Sequence, residues 1–191
     1  MANSKLIVVE GSQGAGKTTI TDYLRYSIKY TNLYRLCGTS DSSITGLKKA
    51  VDMYDALLNY MKTLENKSIN LVFDRTFFTE ENYCRCGFKD YSFTENYKKL
   101  LKDFCNLDYE IYYITLYLKD TSLFAERIKR DNKCEPSYAK FKVESSIKQQ
   151  EVYLQMAEEI KHDYPNVHVL NLANDVDLEA SKKTLREFIG F

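Results

Sequence analysis

Residues 6–24, LIVVEGSQGAGKTTITDYL, decide how the rest of the chain must fold. They begin with four apolar residues, three of them β-branched, which is typical of a strand buried on both faces. Gly11–Thr18 then fits the P-loop pattern of glycine, four residues and Gly-Lys-Ser/Thr. Apolar residues follow at helical spacing, at Ile20, Leu24 and Ile28. This order predicts a phosphate-binding loop, because inward N–H groups and the positive end of the helix dipole meet there.

The predicted loop has the chemistry that binds a nucleoside triphosphate. Lys17 can reach the β- and γ-phosphates of ATP, and the Thr18 hydroxyl can ligate Mg²⁺. A chance glycine-rich turn is the alternative interpretation, which the flanking strand and helix disfavour. The predicted ATP-binding residues are Gly11, Ser12, Gln13, Gly14, Ala15, Gly16, Lys17, Thr18 and Thr19.

The overall composition favours one soluble domain over residues 1–191. The 27 basic side chains equal the 27 acidic ones, so no global field attracts nucleic acid or a membrane. The five cysteines lack disulfide or zinc-site spacing, which indicates free thiols in a reducing cytosol. No apolar stretch approaches the roughly 20 residues that span a bilayer, and the N-terminus lacks a signal-peptide pattern. We therefore expect a cytoplasmic protein whose partners are small-molecule nucleotides.

A second apolar run, residues 69–73, ends in Asp74 and Arg75. An acid at the end of a buried strand is the arrangement that holds Mg²⁺ beside a P-loop. Many strands end in aspartate, but the upstream P-loop makes the interpretation more specific. The predicted metal ligands are Thr18 and Asp74.

Strand and helix patterns alternate along the remaining chain. Further strands are predicted at 32–37, 110–118 and 167–172, with helical patterns between them and at 45–66 and 178–189. This alternation predicts a three-layer α/β fold, with about five parallel strands and helices on both faces. The basic stretch at 127–142 is predicted to form a short lid over the triphosphate, although a solvated charged surface is the alternative.

Three segments resemble the thymidylate kinases, a family of P-loop nucleoside-monophosphate kinases. Val9-Glu10-Gly11 followed by Gly14–Thr19 is similar to their P-loop. Asp74-Arg75, with Thr79 and Tyr83 after it, resembles their Asp-Arg-x-x-x-Ser-x-x-x-Tyr segment. Glu126–Arg130, followed by a long helix with Val152-Tyr153, looks like their lid region. The resemblance spans nearly the whole chain, and the related deoxynucleoside kinases are the close alternative.

The resemblance implies roles for individual residues. Lys17 would bind the ATP phosphates, and Arg75 would hold the acceptor. The lid arginines, Arg127 and Arg130, would close on the transferring phosphoryl group. The implied catalytic residues are Lys17, Arg75, Arg127 and Arg130. The implied substrate-binding residues are Glu10, Arg35, Tyr54, Asp74, Arg75, Phe77, Thr79 and Tyr83. Phe77 and Tyr83 could equally be core residues. Gln13 and Tyr54 depart from the family pattern, so the substrate could be a modified or different pyrimidine nucleotide.

The chemistry of the acceptor distinguishes two reactions. A nucleoside kinase must deprotonate a neutral 5′-hydroxyl. The resemblance to deoxynucleoside kinases implies a glutamate for this step just after the second strand, where this chain has no acid before Asp41, although Glu10 or Asp74 could be the base. A monophosphate is already anionic and needs only positioning and neutralisation. We expect ATP-dependent phosphorylation of a deoxypyrimidine monophosphate, such as dTMP, to the diphosphate. Deoxynucleoside phosphorylation is the alternative, a non-catalytic nucleotide-binding protein is a third hypothesis, and a homodimer is left open.

Overall fold

The computed structural model describes residues 4–130, 142–175 and 177–191. The strands are β1 (Lys5–Glu10), β2 (Thr31–Arg35), β3 (Asn70–Asp74), β4 (Glu110–Tyr117) and β5 (His168–Ala173). The helices are α1 (Lys17–Ser27), α2 (Gly46–Thr63), α3 (Phe77–Arg85), α4 (Thr94–Cys105), α5 (Leu123–Arg130), α6 (Val143–Asp163) and α7 (Leu178–Ile189).

The five strands form one parallel sheet in the order β2-β3-β1-β4-β5, which confirms the predicted α/β fold. The P-loop strand β1 lies at the centre of this sheet. Its residues 6–9 are fully buried, because helices cover both faces. Each parallel neighbour needs a crossover, and the intervening helices supply it.

Alternate side chains of β1 enter two separate cores, as the two-residue period of a strand requires. Leu6 and Val8 pack with side chains of α2, α3, α4 and α6. Ile7 and Val9 pack with side chains of α1 and α7. The sheet is therefore the middle layer of the predicted three-layer arrangement.

The predicted lid is only partly within the described residues. Residues 127–130 are the last turn of α5, and α6 begins at Val143. Residues 131–141 lie outside the described ranges. Among the residues that the structure describes, no helix is long and apolar enough to cross a membrane.

Phe78 is expected to be a major stabilising residue of the larger core. Its side chain is fully buried, with its ring centroid 4.3 Å from that of Phe77 and 4.6 Å from that of Tyr113. Phe78→Ala should lower the free energy of unfolding by about 3–5 kcal/mol, because it leaves a cavity between well-packed rings. Urea denaturation measures this loss. Tyr26→Ala, at a residue that is 85% exposed, is the control and should change stability by less than about 0.5 kcal/mol. Equal effects of the two substitutions would contradict the packing described.

Candidate active site

The parallel register brings the predicted site residues to one edge of the sheet. In the strand register, Asp74 of β3 lies opposite Val9 of β1 on one side and opposite Arg35 of β2 on the other. The carboxyl ends of β1, β2 and β3 are therefore adjacent, and the loop at 11–16 leaves β1 at this edge. Ligands of open α/β sheets bind at this edge of the strands.

The backbone of the P-loop requires glycine at two positions that the neighbouring chain approaches closely. A Cβ on Gly11 would lie 2.6 Å from the Leu116 carbonyl oxygen. At Gly16, where φ is +91°, a Cβ would lie 2.3 Å from the Asn174 side-chain nitrogen. The loop can pack here only without side chains, so its glycines are a steric requirement as well as a conformational one.

Lys17 begins α1, and its side chain turns back into the loop. Its Nζ donates to the carbonyl oxygens of Gly11 and Ser12, at 2.8 Å each. Burial, with a smaller contribution from the charge of Arg75, lowers the pKa of Lys17 to about 7. A phosphate beside Nζ would favour the charged ammonium, because an anion compensates for lost solvation.

A polar network holds the P-loop from one side, and no sequence motif pointed to its central residue, Asn174. The Asn174 side chain donates to the Ala15 carbonyl oxygen at 2.8 Å. The predicted catalytic residue Arg127 donates to the Gly14 carbonyl oxygen at 3.2 Å, and also to the backbone oxygens of Asn174 and Asp175. Arg127 thus joins the P-loop to the end of β5.

Glu10, at the end of β1, is fully buried and held by hydroxyl and amide donors. The Thr76 amide donates to one carboxylate oxygen at 2.7 Å, and the Thr79 hydroxyl donates to the other at 2.8 Å. The Tyr153 hydroxyl lies 2.9 Å from that of Thr79. Burial raises the pKa of Glu10 to about 7, against these hydrogen bonds and the charges of Arg75 and Lys17. Glu10 and Thr79 therefore form a scaffold beneath the site.

Arg75 occupies the space between this scaffold and the P-loop. Its backbone is left-handed, with φ of +74°, and its amide donates to the Val9 carbonyl oxygen at 3.2 Å. Burial opposes the charge of its guanidinium, but Tyr83, Tyr153 and the nearby acids raise the pKa of Arg75 overall. Within the described ranges, no side chain forms an ion pair or hydrogen bond with this guanidinium.

Arg35 and Asp74 lie at the same edge, but Arg35 is already paired. Its guanidinium forms an ion pair with Asp22 of α1, and its Nε lies 3.9 Å from the Asp74 carboxylate. Arg35 is also half-exposed. The two arginines are therefore placed differently: Arg75 is half-buried, whereas Arg35 is exposed and flanked by two acids.

The predicted aromatic residues divide between core and site. Phe77 is buried in the aromatic core, stacked on Phe78, which agrees with its alternative interpretation as a core residue. Tyr83 lies close to Arg75, since each influences the pKa of the other. The buried Tyr54 hydroxyl has no hydrogen-bond partner in the part of the chain described. Burial and then the nearby carboxylates of Glu80 and Glu10 raise the pKa of Tyr54.

The side chains available for Mg²⁺ are hard oxygen donors, which fit that ion. The Thr18 hydroxyl lies in the exposed first turn of α1, and the Asp74 carboxylate lies at the end of β3. Mg²⁺ is usually held by one or two protein oxygens together with phosphate and water. Across the described residues, no group of three His, Cys, Asp or Glu side chains could hold a metal by itself.

The buried position of Glu10 predicts a specific pH dependence of stability. A carboxyl whose pKa is higher in the folded protein contributes stability that is complete below its unfolded pKa, near 4.5, and is lost as the pH rises through about 7. The free energy of unfolding of the wild-type protein should therefore fall relative to Glu10→Gln between about pH 5 and pH 8, on the order of 2 kcal/mol. Urea denaturation at several pH values measures this difference. For the control Glu95→Gln, at an exposed carboxylate, the difference in free energy of unfolding from the wild-type protein should not change with pH. A pH-independent difference for Glu10→Gln would contradict the raised pKa of Glu10.

Comparison with known proteins gives relatives by structure alone. No protein-family model matches the chain, and no curated sequence matches it either. Among solved structures, it is similar to thymidylate kinase from Candida albicans, with a TM-score of 0.68 and 13% identity over 100% of this chain and 93% of that one. Thymidylate kinase from Ehrlichia chaffeensis matches with a TM-score of 0.60 and 14% identity, over 98% of this chain and 99% of that one.

A deoxyadenosine kinase from M. mycoides, in a structure with bound dATP, is also similar. Its TM-score is 0.68 at 16% identity, over 97% of this chain and 100% of that one. These matches confirm the fold that the sequence resemblance implies. The chain has the P-loop kinase fold that thymidylate kinases and deoxyadenosine kinases share.

Proposed function

We propose that this protein transfers the γ-phosphoryl group of ATP to a deoxypyrimidine nucleoside monophosphate, dTMP or a close analogue, and so forms the diphosphate. The observation that carries the proposal is the half-buried Arg75 guanidinium, which forms no ion pair within 4 Å with a side chain of the described residues and lies beside Lys17. A buried charge is costly unless it is paired. An acceptor phosphate would supply the missing partner.

Two neighbouring cations suit a reaction between two phosphates. Lys17 belongs to the loop that would bind the donor, whereas Arg75 follows β3 and faces the Glu10 scaffold. Phosphoryl transfer depends on positioning and charge neutralisation more than on covalent chemistry by the protein. Mg²⁺, when bound by Thr18 and Asp74, would neutralise phosphate charge. Arg127 would add positive charge on the donor side, and Arg130 would do so from the end of α5.

The position of the acids supports a phosphate acceptor over a 5′-hydroxyl. Both oxygens of Glu10 already accept hydrogen bonds from Thr76 and Thr79. The Asp41 carboxylate is held within its own loop by Ser43, Thr45 and Lys49. These carboxylates are committed to other contacts, so a general base for a neutral hydroxyl is hard to find among them.

Deoxynucleoside phosphorylation is the second candidate, and one observation favours it. Arg35 is paired with Asp22, which reduces the positive charge available for an acceptor phosphate. The Asp74 carboxylate at the same edge would then be the candidate base. The structural likeness to a deoxyadenosine kinase is compatible with this reaction.

The two reactions are separated by a coupled assay of ADP release with ATP and Mg²⁺. The acceptors are thymidine, deoxyuridine and deoxycytidine beside dTMP, dUMP, dCMP and dGMP. We expect turnover with a pyrimidine monophosphate and none with its nucleoside. Arg75→Met should raise the KM for that monophosphate by about tenfold or more while the KM for ATP changes little. Turnover with the nucleoside alone would overturn the proposed reaction.

Lys17→Ala tests the P-loop independently of the acceptor. Turnover should fall roughly 100-fold or more, because the ammonium stabilises charge that develops during transfer. The fold should persist, since Lys17 contacts loop carbonyls and no core side chain. Steady-state turnover and thermal unfolding give the two readings. Lys48→Ala, at an exposed lysine of α2, is the control. Near-normal turnover in Lys17→Ala would contradict its role.

A further inference from the structure

A buried ion pair lies next to the site but outside the machinery described so far. Lys89 Nζ lies 3.0 Å from Glu80 Oε1, and the two side chains are 3% and 0% exposed. The Tyr91 hydroxyl also donates to Glu80. Desolvation offsets much of the attraction in such a pair, so stability alone is a weak reason for it.

The pair fixes both backbone groups of one loop residue. The Thr39 amide donates to Glu80 Oε2 at 2.9 Å, and the Thr39 carbonyl oxygen accepts from Lys89 Nζ. Nearby, the Asp90 amide donates to the Ser42 carbonyl oxygen at 2.8 Å. The loop at 38–45 after β2 is therefore tied to the loop at 86–93 between α3 and α4.

This attachment brings the first loop against Tyr83. A Cβ on Gly38 would lie 3.0 Å from the Tyr83 ring, so the loop backbone touches that ring directly. Lys89 Nζ lies 6.0 Å from the centroid of the same ring. The charge of Arg75 also acts on the Tyr83 phenol, whose pKa it lowers against the effect of burial. The contacts thus lead from the ion pair to the Tyr83 ring, which lies within the electrostatic range of the guanidinium that would hold the acceptor.

The outer side of the second loop borders open space. A surface cavity of about 460 Å³ borders it, and the lining residues include Lys89, Asp90 and Tyr91. Apolar contact is therefore incomplete on that side of the loop. The ion pair and its hydrogen bonds to Thr39 supply the inward attachment.

We propose that Glu80 and Lys89 are positioning residues that fix the backbone at Gly38 and Thr39 as one wall of the acceptor site and hold Tyr83 against it. Acceptor affinity should depend on this pair, and ATP affinity should not. The inference rests on the proposed function in that it places the acceptor beside Arg75. It applies whether that acceptor is a monophosphate or a nucleoside.

The test compares stability with binding in single and double variants. The variants are Glu80→Gln, Lys89→Met and the double replacement Glu80→Met with Lys89→Met. Calorimetry measures the affinities for dTMP, thymidine and a non-hydrolysable ATP analogue, and urea denaturation measures stability. Hydrogen exchange over residues 37–45 reports the loop directly. Glu95→Gln and Lys98→Met are the controls, because this pair, at 2.8 Å, lies on the exposed face of α4.

Each single variant leaves one buried partner without its counterpart, so stability should fall and the acceptor should bind about tenfold or more weakly. The double variant should regain part of that stability, because no unpaired charge is left buried. It should still bind the acceptor weakly and exchange the Thr39 amide faster, since both anchors of that residue are gone. Affinity for the ATP analogue should stay within about twofold of the wild-type value.

Recovery of acceptor affinity together with stability in the double variant would overturn the inference, because the pair would then be purely structural. Equal losses of ATP-analogue and acceptor affinity would also overturn it. If the wild-type protein binds thymidine and not dTMP, the proposed reaction fails, while the variants measured with thymidine still decide the positioning role. Binding of neither acceptor by the wild-type protein would contradict the acceptor wall itself.

Discussion

The burial of opposite charges at one edge of the sheet is the constraint on which the rest of the structure depends. Glu10, Lys17 and Asp74 are buried where β1 and β3 end, and Arg75 is half-buried beside them. In a low-dielectric environment, such groups are tolerated only when hydrogen bonds and opposite charges surround them. The backbone carbonyls beside Lys17 and the threonines beside Glu10 meet part of that requirement. A phosphorylated ligand would meet the remainder.

Different polar contacts hold the two loops at this edge of the sheet, the P-loop and the loop after β2. At the P-loop, Asn174 and Arg127 attach the loop to the end of β5 through backbone carbonyl oxygens. At the other side, the Glu80–Lys89 pair attaches the loop after β2 to α3 and its following loop. Polar contacts contribute to both attachments. Polar contacts specify distance and direction, which suits elements that must present ligands at fixed positions.

The fold alone leaves the reaction undecided, because thymidylate kinases and deoxyadenosine kinases share it at 13–16% identity to this chain. A common fold supports different acceptors through changes in a few site residues. Under the proposed function, those residues in this protein are Arg35, paired with Asp22, and Arg75, which forms no ion pair in the described ranges. On this proposal, the choice between a monophosphate and a nucleoside acceptor depends on the charge around these two guanidinium groups.

Local sequence determined the strand–loop–helix at residues 6–24, the parallel α/β alternation and the meeting of Lys17 with Asp74 and Arg75. These features follow from side-chain period, glycine spacing and the rule that parallel strands end at one edge. The same reasoning could not separate the core residues Phe77 and Tyr54, whose ring centroids are 6.4 Å apart, from Tyr83, whose ring lies against Gly38, because all are aromatic residues of helices.

Only the tertiary structure decided which polar side chains meet across the chain. Asn174 contacts a P-loop carbonyl 159 residues away, and Thr39 meets Glu80 across 41 residues. The sequence resemblance implied that Arg127 closes on the transferring phosphoryl group, and the tertiary structure adds its hydrogen bonds to the backbone oxygens of Gly14 and Asn174. Sequence period specifies which face of a helix or strand a residue occupies. The partner that it finds there depends on how distant elements pack, because hydrogen bonds form only over a few ångströms.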